Sequence, residues 1–293
     1  MSSPSQGAAT PTLRVDAHQH FWRYRPAQYQ WIGPRHAALK RDFTPGDLQP
    51  ELAAQGFDAS IAVQARQQAE ETDDLLDLAQ RNRWIAGVVG WADLRSEGLQ
   101  ALLERWAQAP QFVGLRHQLQ DEPSPALLMG DAAFERGMKA LQTRGLAYDV
   151  LIKERDLPAA TAFCQRHDRH HLILDHLGKP DVSRNDPWAW ADRVAPLAAL
   201  PHVSCKLSGL ITEADWQRWK PEALLPYFHL AVELFGPARL MFGSDWPVCQ
   251  LAGTYRDVHQ LFAAAVSALS PSEQGAMAGG NALRIYGLED YRP

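Results

Sequence analysis

Eight short apolar runs, each turning polar at its C-terminal end, recur along this 293-residue chain, and they constrain its fold more than any other feature. They are LRVDAHQH (13–20), ASIAVQ (59–64), IAGVVGWAD (85–93), FVGLRH (112–117), AYDVLI (147–152), HLILDH (171–176), VSCKLS (203–208) and LMFGSDWP (240–247). Their ends lie roughly 25–45 residues apart, the length of a strand, a crossover helix and two loops. The intervening segments have helical amphipathicity and caps: TDDLLDLAQRN opened by Thr72, SEGLQALLERWAQ, and DAAFERGMKALQTRG closed by Gly145. Near-continuous apolar strands joined by helices predict a parallel sheet covered on both faces, and eight such units predict an α/β fold of the (β/α)8 TIM-barrel type. An open doubly wound sheet would carry a Gly-rich phosphate loop after its first strand, and this sequence has none there. No composition break divides residues 13–293, so one barrel domain is expected, preceded by a disordered leader over residues 1–12. A long aromatic- and Arg-rich loop (21–44) and a helical insertion (211–235) are expected near the barrel mouth or its outer ring.

Composition narrows the partners. A formal charge of −5 with no Lys/Arg run argues against nucleic acid or an anionic membrane surface. No apolar stretch reaches the roughly 18–20 residues of a membrane span, and the N-terminus lacks the basic and apolar regions of a secretory signal. Cys164, Cys205 and Cys249 form no disulfide framework, so a reducing cytoplasm is the simplest expectation. The sequence fixes no oligomeric state.

In such a barrel the loops at the C-terminal strand ends build the active site. VDAHQHFW places Asp16, His18 and His20 two apart, on one face of a straight strand. Gln64, Arg116, His117, Asp175, His176, Lys206, Ser208 and Asp245 stand at or near other strand ends. Histidines two apart have Cα atoms about 6.6 Å apart, so both rings can reach one metal ion at about 2.0–2.1 Å. His18, His20, His176 and Asp245 are therefore candidate metal ligands, and Asp245 is a candidate general base toward water. Arg116, His117 and Lys206 are candidate oxyanion donors, although Lys206 could instead be a buried ion-pair member. Asp16 is expected one step deeper, orienting a histidine. Trp22, Trp31 and Trp246, with Gln64 and His117, are candidate walls of a substrate pocket. No Ser lies in a G-x-S-x-G elbow.

DAHQHFW, VGLRH, LDHLGKP, CKLSGL, FGSDWP and the late GGNALRIYGL occur in an order that resembles the amidohydrolase superfamily, and within it the branch holding sugar-acid lactonases. The likeness runs from about residue 13 to 290. It implies a distorted (β/α)8 barrel that hydrolyses esters, lactones or amides, usually with divalent metal. It maps the first-strand metal histidines onto His18 and His20, the sixth-strand histidine onto His176 and the eighth-strand aspartate onto Asp245. Binuclear members carry a bridging Lys or Glu on strand four and a His on strand five. Here those positions hold Arg116 and His117, then AYDVLIK, so a single ion (zinc by preference, and not necessarily required) is the expectation.

The combined reading is a hydrolase that opens an L-fuconolactone-like aldonolactone by water attack, with Asp245 as base. An alternative is a lactonase for aromatic-pathway lactones, or a related decarboxylase. A dicarboxylate substrate would need inward arginines, for which Arg23, Arg25 and Arg35 are the candidates. A second alternative is a binding protein that has lost catalysis.

Overall fold

The computed structural model describes residues 13–293. The expected leader, residues 1–12, lies outside the described residues. Within them, eight parallel strands pair in chain order: β1 (Val15–Gln19), β2 (Ala59–Val63), β3 (Ile85–Gly90), β4 (Phe112–His117), β5 (Ala147–Val150), β6 (Leu172–Leu174), β7 (Val203–Leu207) and β8 (Leu240–Phe242). The ring closes just beyond β8, where Gln19 bridges Trp246. There His20 N–H donates to the Trp246 carbonyl at 2.7 Å and Asp245 N–H to the His18 carbonyl at 2.8 Å. The fold is a distorted (β/α)8 barrel. No helix among the described residues is long and apolar enough to cross a membrane.

The outer ring follows the strands: α1 (Pro45–Ala54), α2 (Ala69–Arg81), α3 (Leu99–Trp106), α4 (Pro125–Met129), α5 (Ala132–Thr143), α6 (Leu157–Arg166), α7 (Pro187–Ala198), α8 (Pro221–Phe235) and α9 (Tyr255–Val266). Each longer helix buries one apolar stripe against the strands, such as Phe134, Met138 and Leu141 on α5 or Val258, Leu261, Phe262 and Ala265 on α9. Thr72 does not cap α2. The helix starts a turn earlier, and the buried Thr72 hydroxyl exchanges hydrogen bonds with the backbone N–H and carbonyl of Trp91, tying α2 to the end of β3. The 211–235 segment divides into a short 3-10 turn (Leu210–Glu213) and α8.

The barrel interior is layered. At the bottom, Val15, Ala59, Ala86, Val113, Ala147, Ile173 and Met241 pack on Ala282, Leu283, Ile285 and Leu288 of the C-terminal segment, which plugs the barrel. A charged layer of Asp149, Asp175, Lys206 and Arg116 lies above, and the mouth lies above that. β6 and β8 are only three residues long, shorter than their apolar runs, because the chain after each enters left-handed backbone.

Candidate active site

At the mouth, Asp245 Oδ1 lies 3.4 Å from His20 Nε2, 3.8 Å from His18 Nε2 and 3.9 Å from His176 Nε2. His18 and His20 Nε2 are 3.2 Å apart. Thus residues from β1 and from the segments after β6 and β8 converge. The backbone that delivers them is strained. His176, Leu177 and Lys179 sit at φ 54, 55 and 51°, and Asp245 at 55°. For residues with a Cβ this conformation costs about 1–2 kcal/mol each. Trp190 Nε1–H holds the first turn through the Leu177 carbonyl (2.9 Å), and Asp245 is held by the β1 hydrogen bond already described. Gly209 makes room for the His176 ring: a Cβ there would lie 2.5 Å from His176 Nδ1.

The outer nitrogens are anchored. His20 Nδ1–H donates to the Val63 carbonyl at 2.7 Å, and His176 Nδ1 contacts Ser208 Oγ at 2.8 Å. Each Nε2 therefore faces the other donors, as in metal sites whose histidines are oriented from behind. Bonds of about 2.0–2.1 Å to a tetrahedral ion put ligand atoms about 3.3 Å apart, close to the spacing here. His18, His176 and Asp245 thus fit a divalent metal, with His20 Nε2 3.4 Å from the same carboxylate oxygen, although Arg116 Nη1, 3.2 Å from His18 Nε2, contends for that nitrogen. Burial pushes His176 down to about 4 and His18 well below the usual imidazole range, so both rings are neutral near neutral pH. Burial alone would raise the Asp245 carboxyl, but His176, His20 and Lys179 offset this and hold it below the ordinary carboxylate range.

Beneath His18 lies a buried ionic network. Lys206 Nζ contacts Asp149, Asp175 Oδ1 (3.1 Å) and His18 Nδ1 (3.1 Å), and Asp175 Oδ2 accepts from Arg116 Nη1 at 3.0 Å. Tyr286 O–H donates to Asp149 at 2.8 Å, linking the C-terminal plug to the network. Two cations face two carboxylates, the balance a dry interior requires. Lys206 is fully buried and is not among the residues that line the mouth cavity, the placement of the buried ion-pair member that its sequence position also allowed.

The cavity over Asp245 measures about 240 Å³. Arg116, His20, His176 and Asp245 line it, with Trp31, His36 and Trp216 as an aromatic wall. Trp31 is the one predicted wall residue that lines it. Trp22 packs inside an aromatic cluster with Phe43 and Trp31, and Trp246 is buried against Phe21 and Phe43. Gln64 is buried beside the cavity, donating to the Arg116 carbonyl at 3.2 Å, while its own carbonyl accepts from the Arg116 guanidinium. His117 faces away, between Glu122 (2.7 Å) and the Trp91 indole N–H (3.2 Å). Asp16 does not face the histidine rings: the register shifts between Asp16 and Gln19, and its Oδ1 accepts from the backbone N–H groups of His18 (3.1 Å) and Ser244 (2.9 Å). Asp175 as a network member, and Lys179, Glu213, His36, Trp216, Gln118 and Asp121 as lining residues, were missed as site residues. The available signal was position: Lys179 and Glu213 follow strand ends within LDHLGKP and SGLITE.

An amidohydrolase family profile matches residues 15–288. An L-fucono-1,5-lactonase of Burkholderia multivorans is 49% identical over 288 residues, covering 95% of this chain and 97% of that protein. An L-fucono-1,5-lactonase of Burkholderia ambifaria is 38% identical over 284 residues, with 95% and 97% covered. The crystal structure of a Burkholderia multivorans amidohydrolase with bound zinc superposes with a TM-score of 0.92 at 48% identity, covering 94% of this chain and 99% of that one. With its barrel, its ordered strand-end residues and these likenesses, the chain belongs to the amidohydrolase family.

Proposed function

We propose that this protein is a lactonase that opens a sugar-acid lactone of the L-fucono-1,5-lactone class to the free acid. The carrying observation is the Asp245 carboxylate in the lining of a small cavity, beside His20, His176 and Arg116, in a chain 49% identical to an L-fucono-1,5-lactonase. Asp245 takes a proton from water as the water oxygen bonds to the lactone carbonyl carbon. Arg116, which lines the cavity, donates to the oxyanion that forms. Collapse breaks the ring C–O bond, and protonated Asp245 returns its proton to the leaving alkoxide. The product acid then ionises in solvent. His20 and His176, held from behind by Val63 and Ser208, fix the position of the water and the carboxylate. A divalent metal held by His18, His20, His176 and Asp245, zinc by preference, would polarise the carbonyl or acidify a bound water.

Charge favours a neutral polyol over a dicarboxylate. Asp121, Glu213 and Asp245 line the cavity against only Lys179 and Arg116 as cations. The three arginines that a dicarboxylate reading needs stand elsewhere: Arg23 and Arg25 line a separate groove beside α2, and Arg35 stacks over Trp216 at 5.0 Å outside the cavity.

A pH-indicator assay over neutral and dicarboxylate lactones, with and without chelator, tests this reading. Acid release from a neutral aldonolactone is expected, with Asp245→Asn slower by about 10²–10⁴-fold. A folded protein that releases acid from no lactone, or an Asp245→Asn variant of near-normal rate, overturns it.

A further inference from the structure

Two charged side chains to which the proposed chemistry assigns no bond or proton transfer line the same cavity. Lys179 Nζ and Glu213 Oε1 lie 3.1 Å apart, and both are only partly exposed, at 19% and 26%. One comes from the loop after β6 and the other from the 3-10 turn after β7 (Leu210–Glu213), so the pair spans two neighbouring strand ends. Lys179 stands three residues beyond His176 in the same left-handed turn, and its backbone N–H donates to the His176 carbonyl at 2.8 Å. A lysine at φ 51° is an unfavourable choice for a loop with no task, and such outliers cluster at ligand sites. The turn that delivers His176 to Asp245 therefore also delivers an ammonium to the cavity.

The pair's chemistry is that of a diol reader. An ammonium only donates hydrogen bonds and a carboxylate only accepts them, whereas a sugar hydroxyl does both. Adjacent donor and acceptor groups can engage two neighbouring ring hydroxyls at once. We infer that Lys179 and Glu213 are the residues that recognise the ring hydroxyls of the substrate and set preference for hydroxylated lactones. This inference rests on the lactonase reading above. It assigns the pair to binding and specificity, with Asp245 and Arg116 left to carry the bond changes.

The test compares wild type, Lys179→Met and Glu213→Gln on L-fucono-1,5-lactone and on δ-valerolactone, a six-membered lactone without hydroxyls. The readout is the ratio of kcat/KM for the two substrates, which a general loss of fold or of catalytic geometry does not move. Losing a hydrogen bond to a charged group predicts a fall in that ratio of about 10- to 100-fold in Lys179→Met, most of it in KM for the sugar lactone. Glu213→Gln, which keeps an acceptor oxygen, should fall less. If Lys179→Met does not fold, Lys179→Gln supplies the same ratio. A ratio within about threefold of wild type in folded variants overturns the inference alone. A wild-type protein that opens neither lactone overturns the lactonase reading and this inference with it.

Discussion

Lys206→Met tests whether the charged layer under the mouth is structural. Lys206 Nζ touches Asp149, Asp175 and His18 Nδ1, and all four residues are fully buried. Methionine keeps most of the stem and removes the charge. Two buried carboxylates are then left with one cation, Arg116, which reaches only Asp175. Removing one partner of a buried ion pair costs about 3–5 kcal/mol. At about 2–4 °C per kcal/mol for chains approaching this length, the melting temperature should drop by about 6–20 °C. Thermal unfolding followed by circular dichroism measures this, with turnover recorded well below the variant's transition. Turnover should also fall, because His18 loses a contact that fixes its ring. The double variant Lys206→Met/Asp149→Asn removes one of the stranded charges, so it should melt above the single variant. Melting of Lys206→Met within about 2 °C of wild type refutes the reasoning, since that is less than 1 kcal/mol. Lost turnover with unchanged melting would return Lys206 to the reacting groups.

Two glycines separate backbone strain from site geometry. Gly209 and Gly145 have φ of +64° and +66°, but an added Cβ meets His176 Nδ1 at 2.5 Å in the first and nothing within 4 Å in the second. Alanine at Gly145 should cost about 1–2 kcal/mol of stability and at Gly209 more, because the His176 ring must also move, and only Gly209→Ala should lose turnover, by about 10²-fold, as measured by paired melting and kinetics. Glu71 carries a pH signature away from the mouth. Burial pushes its carboxyl up to about 8, against the opposing pull of the Arg66 and Ala65 backbone N–H groups. The folded state therefore binds this proton more tightly than the unfolded chain. The resulting stability is fully present below about pH 4.5 and is lost as pH rises through about 8, at no more than about 1.4 kcal/mol per pH unit. Urea titrations of wild type and Glu71→Gln between pH 5 and 9 should show the wild type losing stability relative to the variant as pH rises, and parallel curves would exclude Glu71 as the cause.

The strand cores were legible because a parallel barrel strand is buried on both faces and reads as an unbroken apolar run, as in β2 (ASIAV) and β4 (FVGLRH). Where the reading failed, it had assumed that a strand continues straight. A straight β1 puts Asp16 with His18 and His20, and the register shift after Asp16 turns its carboxylate onto backbone N–H groups instead. Straight β6 and β8 would run to His176 and Asp245, yet both residues are left-handed, and nothing in His, Leu, Lys or Asp announces that conformation as a glycine would. The aromatic wall was half legible for a related reason. Trp22 and Trp246 occur where a mouth residue should, but the local pairing of Trp22 with Phe43, and of Gln19 with Trp246, folds their rings inward. Depth along the barrel axis accounts for the two lysines. Lys206 lies within β7, inside the barrel, where its ammonium is matched by carboxylates and stands apart from the cavity lining. Lys179 lies five residues beyond the last residue of β6, in the loop that rims the mouth. Arg116 also lies within its strand, yet its longer side chain lines the cavity while its guanidinium holds Asp175 and the Gln64 carbonyl. A polar residue's distance past the end of its strand, set against the length of its side chain, therefore sorts mouth chemistry from interior support better than residue type does.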